Sequence, residues 1–243
     1  MLSRAGACSR HQAVAWIAAG RVQVNGRTVR NAEAWVDPVR DRVLVDGAPL
    51  RPRSKEVWAM HKPVGYVTTA ADEHGRATVY DLLPPDASWL APVGRLDRDS
   101  SGLLLFTNDN DLAHAINAPA SKLPKVYEVR VKGRVGDAAL TTLRNGVALH
   151  DGTTRPARAD ALDHDARSTL LRIELVEGRN RQIRRMVLAI GSRVWTLHRI
   201  SVGPIGLGDQ AEGSCRRLAP DEVQALRAAV SVPAAKHSRG PVR

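Results

Sequence analysis

The sequence predicts an α+β protein in which a small module of helix and short hairpins precedes a larger domain. That domain should be built on a mixed, largely antiparallel sheet flanked by helices, because its strand signals follow one another with few crossover helices between them. Two hairpin signals, Asn25-Gly26 and Asp46-Gly47, fall within the first 50 of the 243 residues. We therefore expect two structural units in one chain.

The first unit, residues 1–52, is predicted to begin with a helix. Ser9 and Gln12 have the spacing of a capping box, and Gly20 follows the apolar stripe of that helix. The two hairpin signals each come after a Val-rich run and are typical of type I′ turns. About fifty residues give marginal stability alone, so this unit reads as an appended binding module. Residues 53–56 are predicted to be a linker.

The second unit covers residues 57–230 and carries alternating strand and helix signals. Strands are predicted at residues 57–60, 64–69, 103–107, 126–132, 169–176 and 193–197. Helices are predicted at residues 109–117, 137–145, 181–190 and 220–230. The remaining segment, 231–243, is basic and lacks acids, and we expect it to be disordered.

The composition favours a polyanionic partner. Lysine and arginine number 36 against 25 acidic residues, a formal net charge of +11, and nucleic acid is the commonest partner of such a protein. A compositional bias toward arginine is the alternative. The two cysteines are far apart and indicate neither a disulfide framework nor a zinc site. No apolar run has membrane-spanning length, and a cytoplasmic protein is expected.

A charged loop at residues 94–102 is the first candidate site. Asp97 lies there between Arg95 and Arg98, directly before the apolar run 103–107. A carboxylate at the edge of a core strand, with cations beside it, can be held ionised for work on an anionic substrate. The alternative is an aspartate that only caps the strand.

The second candidate site is an arginine-rich segment, in which residues 178–199 contain six arginines and no acid. Asn180 is predicted to cap a helix whose first turns hold Arg179, Arg181, Arg184 and Arg185. Cations at a helix N-terminus cost about 0.3–1 kcal/mol each, which favours an anion site there over a solvated basic face. Asp97 is the natural acid to pair with one of these arginines.

Together these segments resemble the RsuA/RluB family of pseudouridine synthases over nearly the whole chain. Residues 3–50 resemble an S4 RNA-binding module, with residues 20–26 as its most typical run. The other matching motifs, in order, are residues 61–69, residues 94–97 with 101–109, residues 125–127, residues 178–186 and residues 197–199. Five motifs in register are a specific signal. Two segments depart from the family: the chain starts late, at the position of Leu2, and residues 117–121 lack the usual basic run.

The resemblance implies roles for single residues. Asp97 is expected to be the catalytic carboxylate at ribosyl C1′ of the target uridine, Tyr127 to stack on the extruded base, and Arg184 to pair with Asp97. Arg95 would open the base stack or hold the flanking backbone, and Leu197 would form an apolar wall. The residues expected to contact RNA are Arg4, Ser9, Arg10, Arg21, Asn25, Lys62, Arg179, Arg181 and Arg185. Lys62 has the alternative of holding the loop of Asp97.

The reaction that the resemblance implies fits these residue types. Isomerising uridine breaks the C1′–N1 bond, turns the uracil and joins C1′ to C5, so no redox change, group donor or metal is needed and no cofactor is expected. The base must be flipped out of folded RNA at a cost of a few kcal/mol. Stacking on Tyr127 would return about 1–3 kcal/mol.

The expected substrate is ribosomal RNA or a ribosome-assembly intermediate, bound by a monomer. Large-subunit RNA is favoured because residues 179–182 are nearer the RluB branch of the family. Small-subunit RNA is an alternative, and a transfer RNA is disfavoured because an S4 module suits ribosomal helices. The rival class is a non-catalytic RNA-binding assembly factor of the same fold.

Overall fold

The computed structural model describes residues 1–85 and 87–230, and it has the predicted α+β fold with a mixed, largely antiparallel sheet. The basic segment predicted at residues 231–243 lies outside the described residues. Within the described ranges, no helix is long and apolar enough to cross a membrane.

The N-terminal unit contains one helix and a four-stranded antiparallel sheet of order β2-β1-β3-β4. The elements are α1 (Arg10–Ala18), β1 (Val22–Val24), β2 (Arg27–Thr28), β3 (Val43–Val45) and β4 (Ala48–Pro49). The predicted capping box is confirmed, since the Ser9 hydroxyl accepts from the backbone of Gln12 and the Gln12 side chain accepts from the backbone of Ser9. Both residues of each predicted turn have positive φ, as a type I′ turn requires.

The second unit is built on a nine-stranded sheet. Its strands are β5 (Val57–Lys62), β6 (Ala91–Val93), β7 (Ser101–Thr107), β8 (Lys125–Lys132), β11 (Arg158–His164), β12 (Ser168–Leu175), β13 (Val194–Val202), β14 (Ile205–Gly206) and β15 (Cys215–Arg217). The order is β11-β12-β8-β13-β7-β5-β15, with β14 beside β13 and β6 beside β7. Among these strands only β13 and β7 pair in parallel.

Four helices and a small hairpin complete this unit. They are α2 (Asn110–Asn117), α3 (Asp137–Asn145), α4 (Gln182–Ala189), α5 (Pro220–Ala229), and the paired strands β9 (Ala148–Leu149) and β10 (Gly152–Thr153). All four helices lie within about one residue of their predicted bounds. One strand prediction is wrong: residues 64–69 form no strand and make only an isolated bridge, Val67 to Thr78. The segment instead folds over the loop of Asp97, as described below.

Hydrophobic cores cover both faces of the sheet, as the alternation along β7 illustrates. Leu104 and Phe106 pack on one face with α3 and α4, whereas Leu103 and Leu105 pack on the other with α2 and α5. All four side chains are essentially inaccessible to solvent. Burial on both faces explains why β7 reads as a continuous apolar run.

One row of residues across the sheet organises the site. Lys62 of β5 pairs with Gly102 of β7, Gly102 pairs with Arg199 of β13, and Arg199 pairs with Tyr127 of β8. Residues directly opposite in a sheet point to the same face, so this row brings three side chains together beside the loop that enters β7. At about 4.8 Å per strand, Tyr127 lies about 10 Å from Gly102 across the sheet.

Gly102 is required in this row because its backbone has φ of +105° and touches β13. A Cβ at this position would lie 2.5 Å from the backbone nitrogen of Arg199 and closer still to its carbonyl oxygen. We predict that Gly102→Ala lowers the free energy of unfolding by about 3 kcal/mol or more, combining backbone strain with the clash. Urea unfolding followed by circular dichroism measures this loss.

Gly133→Ala is the matched control. Gly133 also has positive φ, +75°, but no atom lies within 4 Å of the position of its Cβ. Only backbone strain applies there, so we expect a loss of about 1 kcal/mol. Equal losses in the two variants would contradict the importance of the contact between Gly102 and β13.

Candidate active site

Lys62 anchors the loop between β6 and β7. Its side chain is fully buried, and Nζ donates to the carbonyl oxygens of Pro63 at 3.0 Å, Asp97 at 3.0 Å and Ser100 at 2.7 Å. Burial lowers the pKa of Lys62 to about 8, against the opposing charges of Asp99 and Asp97. The expected RNA contact of Lys62 is therefore wrong, because the ammonium is enclosed; its alternative role of holding the loop is the one observed.

A second anchor holds the same loop one residue before Asp97. The buried hydroxyl of Thr68 donates to the carbonyl oxygen of Leu96 at 2.8 Å and accepts from its backbone nitrogen at 3.3 Å. This contact explains why residues 64–69 leave the sheet and fold over the loop. The loop of Asp97 is thus fixed at two places, by Lys62 and by Thr68. The sequence analysis did not predict the contact of Thr68.

The carboxylate of Asp97 is partly exposed, at 31% of its side chain. Arg181 Nη1 donates to its Oδ2 at 3.2 Å, and Arg184 Nε lies 3.9 Å from the same oxygen. Across the described ranges, Oδ1 accepts no hydrogen bond from the protein. One oxygen of Asp97 is therefore held by arginine while the other is available to a substrate.

Asp99, two residues after Asp97 in the same loop, is a second acid of the site. Its carboxylate lies 3.1 Å from Arg184 Nη2 and 3.4 Å from Arg181 Nη2. Burial raises the pKa of Asp99, but the hydrogen bond from Arg181 and the charges of both arginines outweigh it and hold the pKa below its usual value. The predicted pairing of Arg184 with Asp97 is thus the longer contact, and Arg184 binds Asp99 more closely.

The start of α4 differs from the prediction. The helix begins at Gln182, and Asn180 does not cap it; Arg181 precedes the helix in the left-handed region, with φ of 46°. No side chain of the described residues caps the helix. The Gln182 side chain instead reaches back along the chain, accepting from the backbone nitrogen of Arg179 at 3.0 Å and donating to Glu177 at 2.7 Å.

Arg179 and Arg185 are used inside the fold. Arg179 donates to the carbonyl oxygens of Gly152 at 2.9 Å and Thr153 at 2.7 Å, and Arg185 binds both carboxylate oxygens of Asp151 at 2.9 and 3.0 Å. The hydrogen bond from Arg185 lowers the pKa of Asp151. The anion predicted for these two arginines is therefore supplied by the β9–β10 hairpin, which sequence reasoning missed, and both guanidinium groups are engaged within the fold.

The apolar candidates lie under the loop. Tyr127 and Leu197 are 9% and 8% exposed and belong to one core cluster with Leu96 and Ile183, the neighbours of Asp97 and Arg184. Arg95 is exposed. The structure thus brings Asp97, Arg184, Tyr127 and Leu197 to one end of the sheet.

An open, polar cleft of about 610 Å³ lies above Asp97. One wall is residues 95–99 with Arg181, and the other is residues 67–76, a segment that the sequence analysis did not assign to the site. Arg76 fixes that segment through a bidentate ion pair with Asp72, which holds the pKa of the aspartate well below its usual range. The volume falls in the range of ligand sites. No grouping of three or more His, Cys, Asp or Glu side chains suited to a metal occurs in the described residues.

The N-terminal unit presents some of its predicted RNA-contacting residues and uses others internally. Arg4 and Arg10 are exposed. The Ser9 hydroxyl caps α1, and the Asn25 amide donates to Asp41 at 2.8 Å while accepting from the backbone of Arg42. Arg21 forms a bidentate pair with Asp46, and its guanidinium lies 4.7 Å from the ring centroid of Trp16. Ser9 and Asn25 are therefore structural residues of the module.

Comparison with known proteins agrees with this architecture. Residues 56–189 match the family model of RNA pseudouridylate synthase, and residues 1–38 match that of the S4 domain. An RNA pseudouridine synthase of Aquifex aeolicus, described as uncharacterised, is 39% identical over 95% of this chain and 93% of its own length. The ribosomal large subunit pseudouridine synthase B of Bacillus subtilis is 36% identical over 94% of each chain.

A solved structure supports the same conclusion. The crystal structure of a pseudouridylate synthase superposes with a TM-score of 0.68 at 28% identity, covering 90% of this chain and 94% of the other. Sequence match and fold agree over both units. The chain therefore belongs to the RNA pseudouridine synthases of the RsuA/RluB type, which are isomerases, and carries an S4 domain ahead of the synthase fold.

Proposed function

We propose that this enzyme converts one uridine of large-subunit ribosomal RNA to pseudouridine, with Asp97 as its catalytic carboxylate. The observation that carries the proposal is the environment of Asp97: its loop is fixed by Lys62 and Thr68, Arg181 holds Oδ2, Oδ1 has no protein partner among the described residues, and the residue lines the cleft. A fixed, ionised acid with one available oxygen is what attack on a sugar carbon requires.

The reaction proceeds with a flipped-out uridine in the cleft. Asp97 attacks or activates C1′, and the C1′–N1 bond breaks with its electron pair leaving on the uracil ring. The ring turns and C5 bonds to C1′; where Asp97 has bonded to C1′, that bond breaks in the same step and its electron pair returns to the carboxylate. The proton on C5 is then lost as N1 gains one. Atoms and electrons balance within the nucleotide, so no co-reactant enters.

The apolar residues hold the base of the nucleotide, and the exposed arginines hold the RNA backbone. Tyr127 stacks on the extruded base and Leu197 walls the pocket, which keeps the detached ring from diffusing away. Both side chains are buried and neither lines the cleft in this structure, so the base reaches them only by displacing part of their packing. Arg95, exposed at the cleft, opens the base stack or holds the flanking backbone. Arg4, Arg10 and Arg21 of the S4 domain contact RNA phosphates, so binding weakens steeply as salt rises.

The choice of large-subunit RNA rests on relatives. The proteins from Bacillus subtilis and Haemophilus influenzae that bear this specificity in their names are each 36% identical to the chain. A small-subunit target is the second candidate. The non-catalytic assembly factor is disfavoured because Asp97 and its arginine partners are intact. The substrate is a ribosome-assembly intermediate or free ribosomal RNA, bound in the cytoplasm by a monomer.

A pseudouridine map of ribosomal RNA tests the proposal. In cells lacking the protein, one pseudouridine of large-subunit RNA is expected to be absent; wild type restores it and Asp97→Asn does not, because the amide is not a nucleophile. With purified enzyme, Asp97→Asn is expected to lower the single-turnover rate by roughly 10⁴-fold or more. Primer extension after chemical derivatisation of pseudouridine locates the site.

Asp163→Asn is the matched control, since it is the same substitution on the exposed strand β11, and it should restore the modification fully. Restoration by Asp97→Asn would make the assembly factor the better account. Loss of a small-subunit pseudouridine instead would transfer the proposal to the second candidate.

The Lys62 anchor gives the reaction an alkaline limit. The pKa of Lys62 is lowered to about 8 by burial, so its ammonium loses a proton as pH rises through that value. The neutral amine has two donors for three carbonyl oxygens, and the loop of Asp97 is held less firmly. We expect the single-turnover rate to be highest below pH 8 and to fall progressively above it, measured from pH 6.5 to 9.5.

Lys62→Arg is the informative variant, because a guanidinium stays protonated throughout that range. If the larger head is accommodated, its activity, lower than wild type, should show no decline near pH 8. Circular dichroism at each pH separates loss of the loop from unfolding. A wild-type rate that is constant up to pH 9.5 would contradict this role of the ammonium.

A further inference from the structure

Arg181 stands between the two carboxylates of the catalytic loop and the open cleft. Its Nη1 lies 3.2 Å from Asp97 Oδ2 and 3.4 Å from Asp99 Oδ1, and its Nη2 lies 3.4 Å from Asp99 Oδ2. Taking the proposed role of Asp97 as given, we propose that Arg181 holds Asp97 in the free enzyme and exchanges it for an RNA phosphate when substrate enters. Asp99 is the residue that keeps Arg181 in place until then.

The first support is an unused donor on the buried side of Asp97. Arg184 Nε is buried and, in the part of the chain that the structure describes, has no hydrogen-bond partner, although Asp97 Oδ2 is only 3.9 Å away. Buried charged donors are normally satisfied. Release of Oδ2 by Arg181 would let the carboxylate close this gap, so the free enzyme has a second arrangement of Asp97 within reach.

The second support is the balance of charge. Arg181 and Arg184 face Asp97 and Asp99, a set of two cations and two anions. A phosphate adds a third negative charge, and only one of the two arginines can turn to meet it: the Arg181 side chain is 46% exposed, whereas that of Arg184 is 14% exposed. A guanidinium fork matches phosphate as well as it matches carboxylate, so the exchange replaces one such pair by another.

The third support is the backbone of Arg181. An arginine with φ of 46° is uncommon and persists only where its surroundings hold it. Its main chain is fixed by the start of α4, where Gln182 is bound on both sides. Among the described residues, its guanidinium is bound only to the two carboxylates. The backbone of Arg181 is therefore fixed, while its guanidinium can exchange one anionic partner for another. A positioning residue needs both properties.

A thermodynamic cycle on RNA binding tests the exchange. The probe is an unmodified transcript of large-subunit ribosomal RNA, bound in filter assays over a range of salt concentrations. Arg181→Gln should weaken binding about tenfold and reduce the slope of log K against log salt by roughly 0.7–0.9, the loss of one phosphate contact. Asp99→Asn should tighten binding about three- to tenfold, because Arg181 is no longer retained.

The double variant decides the matter. In the Arg181→Gln background, Asp99→Asn should change affinity by less than twofold, since there is no guanidinium to release. Glu73→Gln removes an exposed acid from the facing cleft wall and measures the general effect of removing one negative charge. A gain from Asp99→Asn that is equal in both backgrounds, or no larger than that of Glu73→Gln, would overturn the proposal, as would weaker binding.

Single-turnover kinetics on the same transcript, carrying tritium at uridine C5, give an independent readout. Arg181→Gln should raise the half-saturating enzyme concentration about tenfold and lower the plateau rate of tritium release less than threefold. Arg181→Lys, which keeps the charge, should recover most of the salt slope. A plateau reduced a hundredfold at unchanged half-saturation would instead place Arg181 on the reacting carboxylate and overturn the exchange.

Failure of the proposed function is distinguishable from failure of this inference. If wild type releases no tritium from the transcript, the proposed substrate or activity is wrong. The binding cycle needs no turnover and still reports on Arg181 and Asp99. Thermal melting of each variant confirms that it is folded.

Discussion

The site depends on one buried cation. The Lys62 ammonium has no contact with solvent and donates to three backbone carbonyl oxygens, one of which belongs to Asp97. Hydrogen bonds from a charged donor contribute about 1.5–3 kcal/mol each, and three of them offset part of the cost of removing an ammonium from water; the lowered pKa of Lys62 reflects the remainder. Because Lys62 also ends β5 in register with Gly102, the same residue ties the loop to the sheet. The position of Asp97 thus follows from main-chain contacts, which leave its side chain available for the proposed chemistry.

Arginine in this chain serves two distinct purposes at neighbouring positions. Arg179 and Arg185 bind the β9–β10 hairpin and stabilise the fold, whereas Arg181 and Arg184 bind the acids of the loop. Helical spacing explains part of the division, since side chains one residue apart on a helix point in different directions. Four arginines can therefore lie close together in one short segment, because each pair of arginines binds acidic residues of its own. These acids come from segments far away in sequence.

The fold was largely predictable from local pattern, and the site only in part. Helix bounds, the capping box and both type I′ turns depend on residues within a few positions of one another, and all were predicted correctly. Asp97 became a candidate because a charged loop before an apolar strand is itself a local signal, and its catalytic role, implied by the family resemblance, stays a proposal. The residues that bind the neighbours of Asp97 were not predicted. Asp151 and Thr68 are brought into place by tertiary packing, and the segment 67–76 becomes a cleft wall only because Thr68 binds Leu96. Ser9, Asn25 and Lys62 were assigned to RNA from the family resemblance. The capping contact of Ser9 was visible in its spacing from Gln12, whereas the contacts of Asn25 and Lys62 come from tertiary packing.

The arrangement of Asp97 and Asp99 around Arg181 balances the charge of the cleft and still leaves room for an anionic substrate. A lone ionised carboxylate at the mouth of the cleft would repel the phosphates of the RNA, and a carboxylate buried against arginine would be screened from C1′. Sharing Arg181 between Asp97 and Asp99 avoids both: the cleft holds equal numbers of opposite charges before binding, and the half-exposed guanidinium is the one able to turn outward. In the proposed exchange, Asp99 acts through Arg181 and does not contact the reacting atoms. It is the second partner that keeps Arg181 at the loop, so that Asp97 stays partly exposed and free at one oxygen until a nucleotide arrives.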